Sequence, residues 1–311
     1  MNIIETYLKN YPFIVLDGAL ATELELMNFD LSNGLWSAKV LYENPSAIKK
    51  VHRNYLDAGA DCIITASYQA TITGFVSKGY TSQQAEDIIK FSVKLAKDTI
   101  DEYLYEDNER ILKPFVAGSA GSYGAYLANG SEYRGDYKLS KKEYISFHKR
   151  RVELLIEAGS DIIAFETLPR LDEAAAVLEM MEEFKNHFCW IVFSAKDNSK
   201  ISDGELFTDC VKELNGFDSL AAVGINCSSP SVIKPLISDA MEYTGKPMIV
   251  YPNSGEVFNI KCSCWKGLKD NLYIGDLTRE WYESGAKIIG GCCQIGPDQI
   301  KQIYEFRKSI M

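Results

Sequence analysis

The chain has 311 residues, 33 Lys and Arg against 43 Asp and Glu for a net charge of −10, and 46% apolar and 24% charged residues. That apolar content excludes a disordered chain, and the acidic balance disfavours a nucleic-acid backbone or an anionic membrane as partner. The N-terminus, MNIIETYLKNYPFIVLDG, has no basic region ahead of a long apolar one, and no stretch approaches the roughly 18 apolar residues of a spanning helix, so a cytoplasmic protein is expected.

In chain order, short runs rich in Val, Ile and Phe recur at 13–18 (FIVLDG), 62–67 (CIITAS), 115–119 (FVAGS), 162–167 (IIAFET), 191–196 (IVFSAK), 221–227 (AAVGINC), 248–253 (MIVYPN) and 288–293 (IIGGCC). The intervening stretches carry helical spacing, the pattern of repeated βα units. Asn44-Pro45 marks a helix start and Gly59 its end, while Thr81 with Gln84 and Ser140 with Glu143 have capping-box spacing. No Gly-x-Gly-x-x-Gly follows the first run, so eight units predict a closed (β/α)8 TIM barrel, a single domain over 1–311, in preference to an open dinucleotide-binding sheet. Inserted loops are expected after strand 3 (120–139) and around strand 7 (254–271), where no helix pattern starts promptly.

In such a barrel the chemistry lies at the C-terminal ends of the strands. Those ends carry Asp17-Gly18, Glu166-Thr167, Asn226-Cys227 and Cys292-Cys293. Eight cysteines are too sparse for a disulfide framework. Three converging on one rim suggest a thiolate-bound metal with its fourth position open, as in catalytic zinc. Adjacent cysteines serve one ion only if the backbone leaves the pleat, a break that Gly290 and Gly291 permit.

Other readings stay open at this point. The Cys-Cys pair also fits small buried side chains, or a metal-free redox or covalent nucleophile. Cys262 and Cys264 form another metal pair, whereas Cys62, Cys189 and Cys210 read as core. Asp17 also fits a turn and Glu166 a helix cap. His52, His148 and His187 fall in predicted helices or far from strand ends, which disfavours a histidine ligand or a serine–histidine triad.

The segments DGALATELE (17–25), LWSAKVL (35–41), TASYQATITGF (65–75), GSEYRGDY (130–137), FETLP (165–169), GINCSSP (224–230), VYPNSGEVF (250–258) and GGCC (290–293) occur in an order that resembles the homocysteine S-methyltransferases. These are zinc-dependent barrels that include the S-methylmethionine-using enzymes and betaine–homocysteine methyltransferase. The resemblance covers nearly the whole chain, and GINC with GGCC is its most specific part. It implies Zn²⁺ on Cys227, Cys292 and Cys293, with the homocysteine thiol at the open position. It further implies Asp17 and Glu166 on the amino group of homocysteine, backbone near Gly18 and the side chain of Thr65 or Ser67 on its carboxylate, and Trp36 on the sulfonium donor. Tyr133 and Tyr137 are weaker donor-side aromatics of the same type.

GSEYRGDY and TASYQAT resemble the S-methylmethionine branch more than the betaine branch, with S-adenosylmethionine as a second donor. Gln294 stands where that branch usually has Arg. The implied partners are therefore small molecules, homocysteine and a sulfonium, with selenocysteine or another thiol as alternative acceptor. Oligomeric state stays open.

Overall fold

A computed structural model of the chain describes residues 2–31, 37–106, 110–255, 257–259, 264–266 and 273–311. Among them β1 (Ile14–Val15), β2 (Cys62–Ile64), β3 (Phe115–Gly121), β4 (Ile162–Leu168), β5 (Cys189–Phe193), β6 (Leu220–Asn226), β7 (Met248–Tyr251) and β10 (Ala286–Ile289) form one eight-stranded parallel sheet. β8 (Val257–Asn259) and β9 (Cys264–Lys266) pair separately as an antiparallel ribbon after β7. The spatial order runs β1-β10-β7-β6-β5-β4-β3-β2, and a parallel bridge between Leu16 and Cys62 joins the two ends. The (β/α)8 barrel expected from the alternating runs is the architecture found.

Alternation along the strands builds two cores. Ile14, Cys62, Phe115, Ala117, Ile162, Ala164, Trp190, Val192 and Ile249 fill the barrel interior. Their neighbours Val15, Ile63, Val116, Ile163, Ile191, Val223 and Val250 pack outward under the helices. The strands are therefore apolar on both faces, as parallel strands covered by helices must be. Cys62, Cys189 and Cys210 are free and buried, consistent with core residues.

Helix starts follow the local sequence. Both capping boxes form, Thr81 with Gln84 ahead of the Ser82–Tyr105 helix and Ser140 with Glu143 ahead of Lys141–Glu157. Pro45 opens the Pro45–Asp57 helix, although Asn44 makes no side-chain cap, and Gly59 follows it at φ +105°.

The seam between β1 and β2 is thin. β1 is two residues long, shorter than the 13–18 run, because beyond Val15 only the Leu16–Cys62 bridge continues the pairing. A side chain does the rest. Asp61 accepts the Val15 amide at 2.9 Å on Oδ2 and pairs with Arg110 at 3.3 Å. Arg307, on the last helix (Pro297–Ser309), reaches both its oxygens and lies 2% exposed.

The segment after β3 carries a short helix (Tyr123–Leu127) and a 3-10 turn (Ser131–Tyr133), so the expected long loop has structure of its own. It is fastened to the barrel wall. Gln69 donates to the Ala125 carbonyl at 2.9 Å, the Tyr123 amide donates to Glu173 at 2.7 Å, and the Tyr137 hydroxyl also meets Glu173. Glu173 in turn contacts His148 at 2.9 Å, and Arg151 contacts the other ring nitrogen of His148 at 2.8 Å. No helix among the described residues is long and apolar enough to cross a membrane. Trp36 and Cys262 lie outside the described residues.

Candidate metal and substrate site

Cys227 stands one residue beyond β6, its amide bonded to the Tyr251 carbonyl at 3.1 Å. Its φ is +45°, a left-handed conformation that a non-glycine residue rarely holds without support from its surroundings. The chain after β10 is wedged between the ends of β1 and β7. The Gly291 amide bonds to the Asp17 carbonyl at 3.1 Å, that of Cys292 to Pro252 at 2.8 Å, and that of Ser254 to Cys293 at 3.1 Å.

Those bonds turn both adjacent thiols toward Cys227, and the three sulfurs lie within 4.8 Å of one another. The break from the pleat expected at the two glycines has a different cause from the one their flexibility suggests. Neither has a positive φ, whereas Gln294 does, at +65°, its amide held by Thr22 Oγ1 at 3.1 Å. Gly290 and Gly291 are needed for space. A Cβ at 290 would strike Leu16, and one at 291 would strike Ile295.

The donor set fits a thiophilic cation. Cys292 and Cys293 hold their sulfurs 3.9 Å apart, close to the roughly 3.8 Å edge of a zinc tetrahedron with Zn–S bonds of about 2.3 Å. Of the three, Cys293 is a free thiol. Cys227 and Cys292 are joined as a disulfide, their Cα atoms 5.4 Å apart. That spacing is ordinary for a disulfide, so the placement that lets three sulfurs share an ion also lets two of them bond to each other. Burial pushes the Cys293 thiol up to about 12.

Two carboxylates, Asp17 and Glu166, line the same cavity as the sulfurs. Asp17 is buried, with Oδ2 accepting the Ile64 amide at 2.8 Å and Oδ1 without a partner. Burial, with the Glu166 charge adding to it, pushes its pKa well above the usual carboxylate range. Glu166 is held on both oxygens, by the Ser119 hydroxyl at 2.6 Å and the Tyr251 hydroxyl at 3.1 Å. Burial still pushes it to about 7, against the opposing pull of those two bonds. An ammonium group placed between the two would restore both to their charged forms.

Gly18 and Thr65 line the same cavity; Ser67 does not. Ser67 lies behind Thr65, donating to the Ser119 carbonyl at 2.8 Å and meeting Thr65 Oγ1 at 2.7 Å, so it positions Thr65 and does not itself face the cavity. Tyr133 is at the wall, while Tyr137 is turned away onto Glu173.

Four residues that shape the site were given no role from the sequence. Ser119 and Tyr251 hold Glu166. Asn226, buried under the rim, accepts the Thr167 amide at 3.0 Å and donates to its hydroxyl at 2.9 Å. This clamp holds Thr167 at φ +54°, a conformation costing a β-branched residue about 1–3 kcal/mol, and ties the strand carrying Glu166 to the one carrying Cys227. The fourth is Glu132, in the 3-10 turn of the segment after β3, whose Oε2 has no partner. Asn226 was legible as the residue ending its run, and Glu132 lay within a quoted motif. Neither carries a pattern of its own that separates it from its neighbours.

The cavity measures about 820 Å³ out to its open mouth, and among its described lining residues are three carboxylates and three cysteines but no Lys, Arg or His. Such a pocket selects cations and cationic groups.

A family model described as homocysteine S-methyltransferase matches residues 14–306. The chain is 46% identical over 312 residues to the homocysteine S-methyltransferase YbgG of Bacillus subtilis, covering 100% of this chain and 99% of that protein. It is 40% identical to the selenocysteine methyltransferase of Astragalus bisulcatus, over 95% of this chain and 92% of that one. Crystal structures of the homocysteine methyltransferase MmuM of Escherichia coli in a metallated and an oxidized form each superpose with a TM-score of 0.89 at 40% identity, covering 98% of this chain and 99% of theirs. With the family model spanning the barrel and relatives matching from end to end, the chain belongs to the homocysteine S-methyltransferase family.

Proposed function

We propose that this protein transfers a methyl group from a sulfonium donor, S-methylmethionine foremost, to homocysteine, giving methionine, with zinc held by Cys227, Cys292 and Cys293. The observation that carries this reading is the meeting of three sulfurs within 4.8 Å in a pocket whose described lining residues include three carboxylates and no basic side chain. When bound there, zinc would keep the substrate thiol deprotonated at neutral pH. The whole of 1–311 acts as one barrel unit, in a reducing compartment such as the cytoplasm where the thiols stay available.

The protein's own residues bind and align. Asp17 Oδ1 and the Asp17–Glu166 pair receive the ammonium of homocysteine, and Thr65 with the backbone at Gly18 faces its carboxylate. Ser119, Tyr251 and the Asn226 clamp fix Glu166 before substrate arrives, so little ordering is left to do on binding. In the transfer, the thiolate sulfur forms the new S–C bond while the donor's S–CH3 bond breaks. Its electron pair stays on the donor sulfur, which leaves as a neutral thioether. No proton moves between residues during this step. The site's task is to hold sulfur and methyl at about 3–3.5 Å in line and to exclude water.

A donor comparison tests the reading. With reduced, zinc-loaded protein and homocysteine, S-methylmethionine is expected to give the highest kcat/KM, S-adenosylmethionine a lower one and betaine no detectable turnover. Turnover with betaine alone would overturn the donor assignment. The selenocysteine methyltransferase among the relatives favours a second acceptor, so selenocysteine belongs in the same assay.

Glu166→Gln is expected to raise KM for homocysteine about 10-fold or more, the loss of one charge-assisted hydrogen bond, with a smaller change in kcat. Since Glu166 sits near 7, it loses its charge as pH falls through that value. The wild type should therefore bind homocysteine more weakly below pH about 7, and the variant should show a flatter profile. An unchanged KM in the variant would remove Glu166 from the acceptor site.

A further inference from the structure

Glu132 is 6% exposed, lines the cavity and leaves Oε2 without a hydrogen-bond partner. Its position is fixed by its backbone. The Ser194 hydroxyl donates to its carbonyl at 2.6 Å, and Gly124 packs so closely that a Cβ there would come within 2.7 Å of the Glu132 amide nitrogen. The neighbouring cation is spent elsewhere: Arg134 is exposed and bonds to Asp136 at 2.6 Å and to the Asn129 carbonyl at 3.0 Å. An unsatisfied buried carboxylate oxygen is costly, and retaining one in a binding cavity points to a ligand that satisfies it.

The site contains two such oxygens, Asp17 Oδ1 and Glu132 Oε2. They belong to different parts of the cavity. Asp17 follows β1, with Glu166 on β4 held by Ser119 and Tyr251, whereas Glu132 sits in the 3-10 turn after β3 next to Tyr133. Homocysteine brings one ammonium group, which the Asp17–Glu166 pair accounts for. A sulfonium cannot donate a hydrogen bond, so its positive sulfur alone does not complete Glu132. An N–H donor does.

We propose that Glu132 sets donor specificity, its free oxygen taking the α-ammonium group of an amino-acid sulfonium while the sulfonium methyl faces the cysteines. This rests on the sulfonium-donor reading above. It predicts that a sulfonium is selected by the amino-acid head as well as by its charge.

The experiment compares S-methylmethionine with 4-(dimethylsulfonio)butanoate, the same sulfonium acid without the amino group, on zinc-loaded wild type and E132Q at saturating homocysteine. Wild type should favour S-methylmethionine by about 10- to 100-fold in kcat/KM, and E132Q should erase that preference through its loss on the amino-bearing donor. Binding of S-methylmethionine measured calorimetrically, without turnover, should weaken by the same factor, while zinc content and the KM for homocysteine hold. E132D, which keeps the charge, should recover part of the preference.

Equal use of the two donors by wild type overturns the proposal, and does so even if E132Q fails to fold. An equal fall on both donors in a folded E132Q also overturns it, since Glu132 would then serve the sulfonium charge or the loop. Failure of wild type to use either sulfonium would instead overturn the donor reading, and this proposal with it.

Discussion

Replacing Cys227 by serine is expected to leave a folded barrel that neither retains metal nor turns over. Serine keeps the size of the side chain but offers a hydroxyl that stays protonated at neutral pH, and two thiolates are a poor site for a cation that prefers four ligands. Loss of a residue that merely orients a metal ligand costs about 10- to 100-fold in affinity or activity, so loss of a ligand itself should exceed about 100-fold. The rim position of Cys227, beyond the end of β6 and above the interior core, is why the fold should survive. Metal analysis of reduced protein and its far-UV circular dichroism are the measurements. Full metal content with full turnover in the variant would overturn the ligand assignment.

The largest stability effect is expected at the opposite end of the barrel. Asp61 is 1% exposed and satisfies Arg307, Arg110 and the Val15 amide at once. Asp61→Ala strands the buried Arg307 guanidinium and leaves the Val15 amide unpaired, so a loss of about 3–5 kcal/mol is expected, read as a lowered urea midpoint. Asp61→Asn should lose less, because its amide oxygen still accepts one of these bonds. A midpoint unchanged in both variants would show that the seam is held by the strand bridge and the apolar packing alone.

Much of this architecture was legible in the residues because parallel strands buried on both faces announce themselves as unbroken Val/Ile runs. The run at 162–167 and β4, Ile162–Leu168, nearly coincide. The run at 288–293 overshoots β10, which ends at Ile289, because Gly290 and Gly291 are as apolar as a strand but leave the ladder to pass under Leu16 and Ile295. The run at 13–18 overshoots β1 for a different reason: beyond Val15 only the single Leu16–Cys62 bridge continues the pairing at the seam, and no hydropathy pattern encodes that.

At the site, the sulfurs and Asp17 were legible because they terminate runs. Tyr251 was not, since a tyrosine inside an apolar run reads as packing until Trp190 on one side and Glu166 on the other are seen to share its hydroxyl. Ser67 showed the reverse: the family resemblance offered it beside Thr65, but only three dimensions reveal that its hydroxyl is already engaged by the Ser119 carbonyl.

The Asp61–Arg307 pair spans 246 residues of sequence. At about 5–20 residues per second of synthesis, roughly 12–50 s separate the two ends of that link, and until β10 is made to fill the place between β1 and β7 those two strands stand as bare edges of the nascent sheet. The nascent chain is thus most open to pairing with a neighbour before β10 is made, and Asp61 waits longer still for its Arg307 partner.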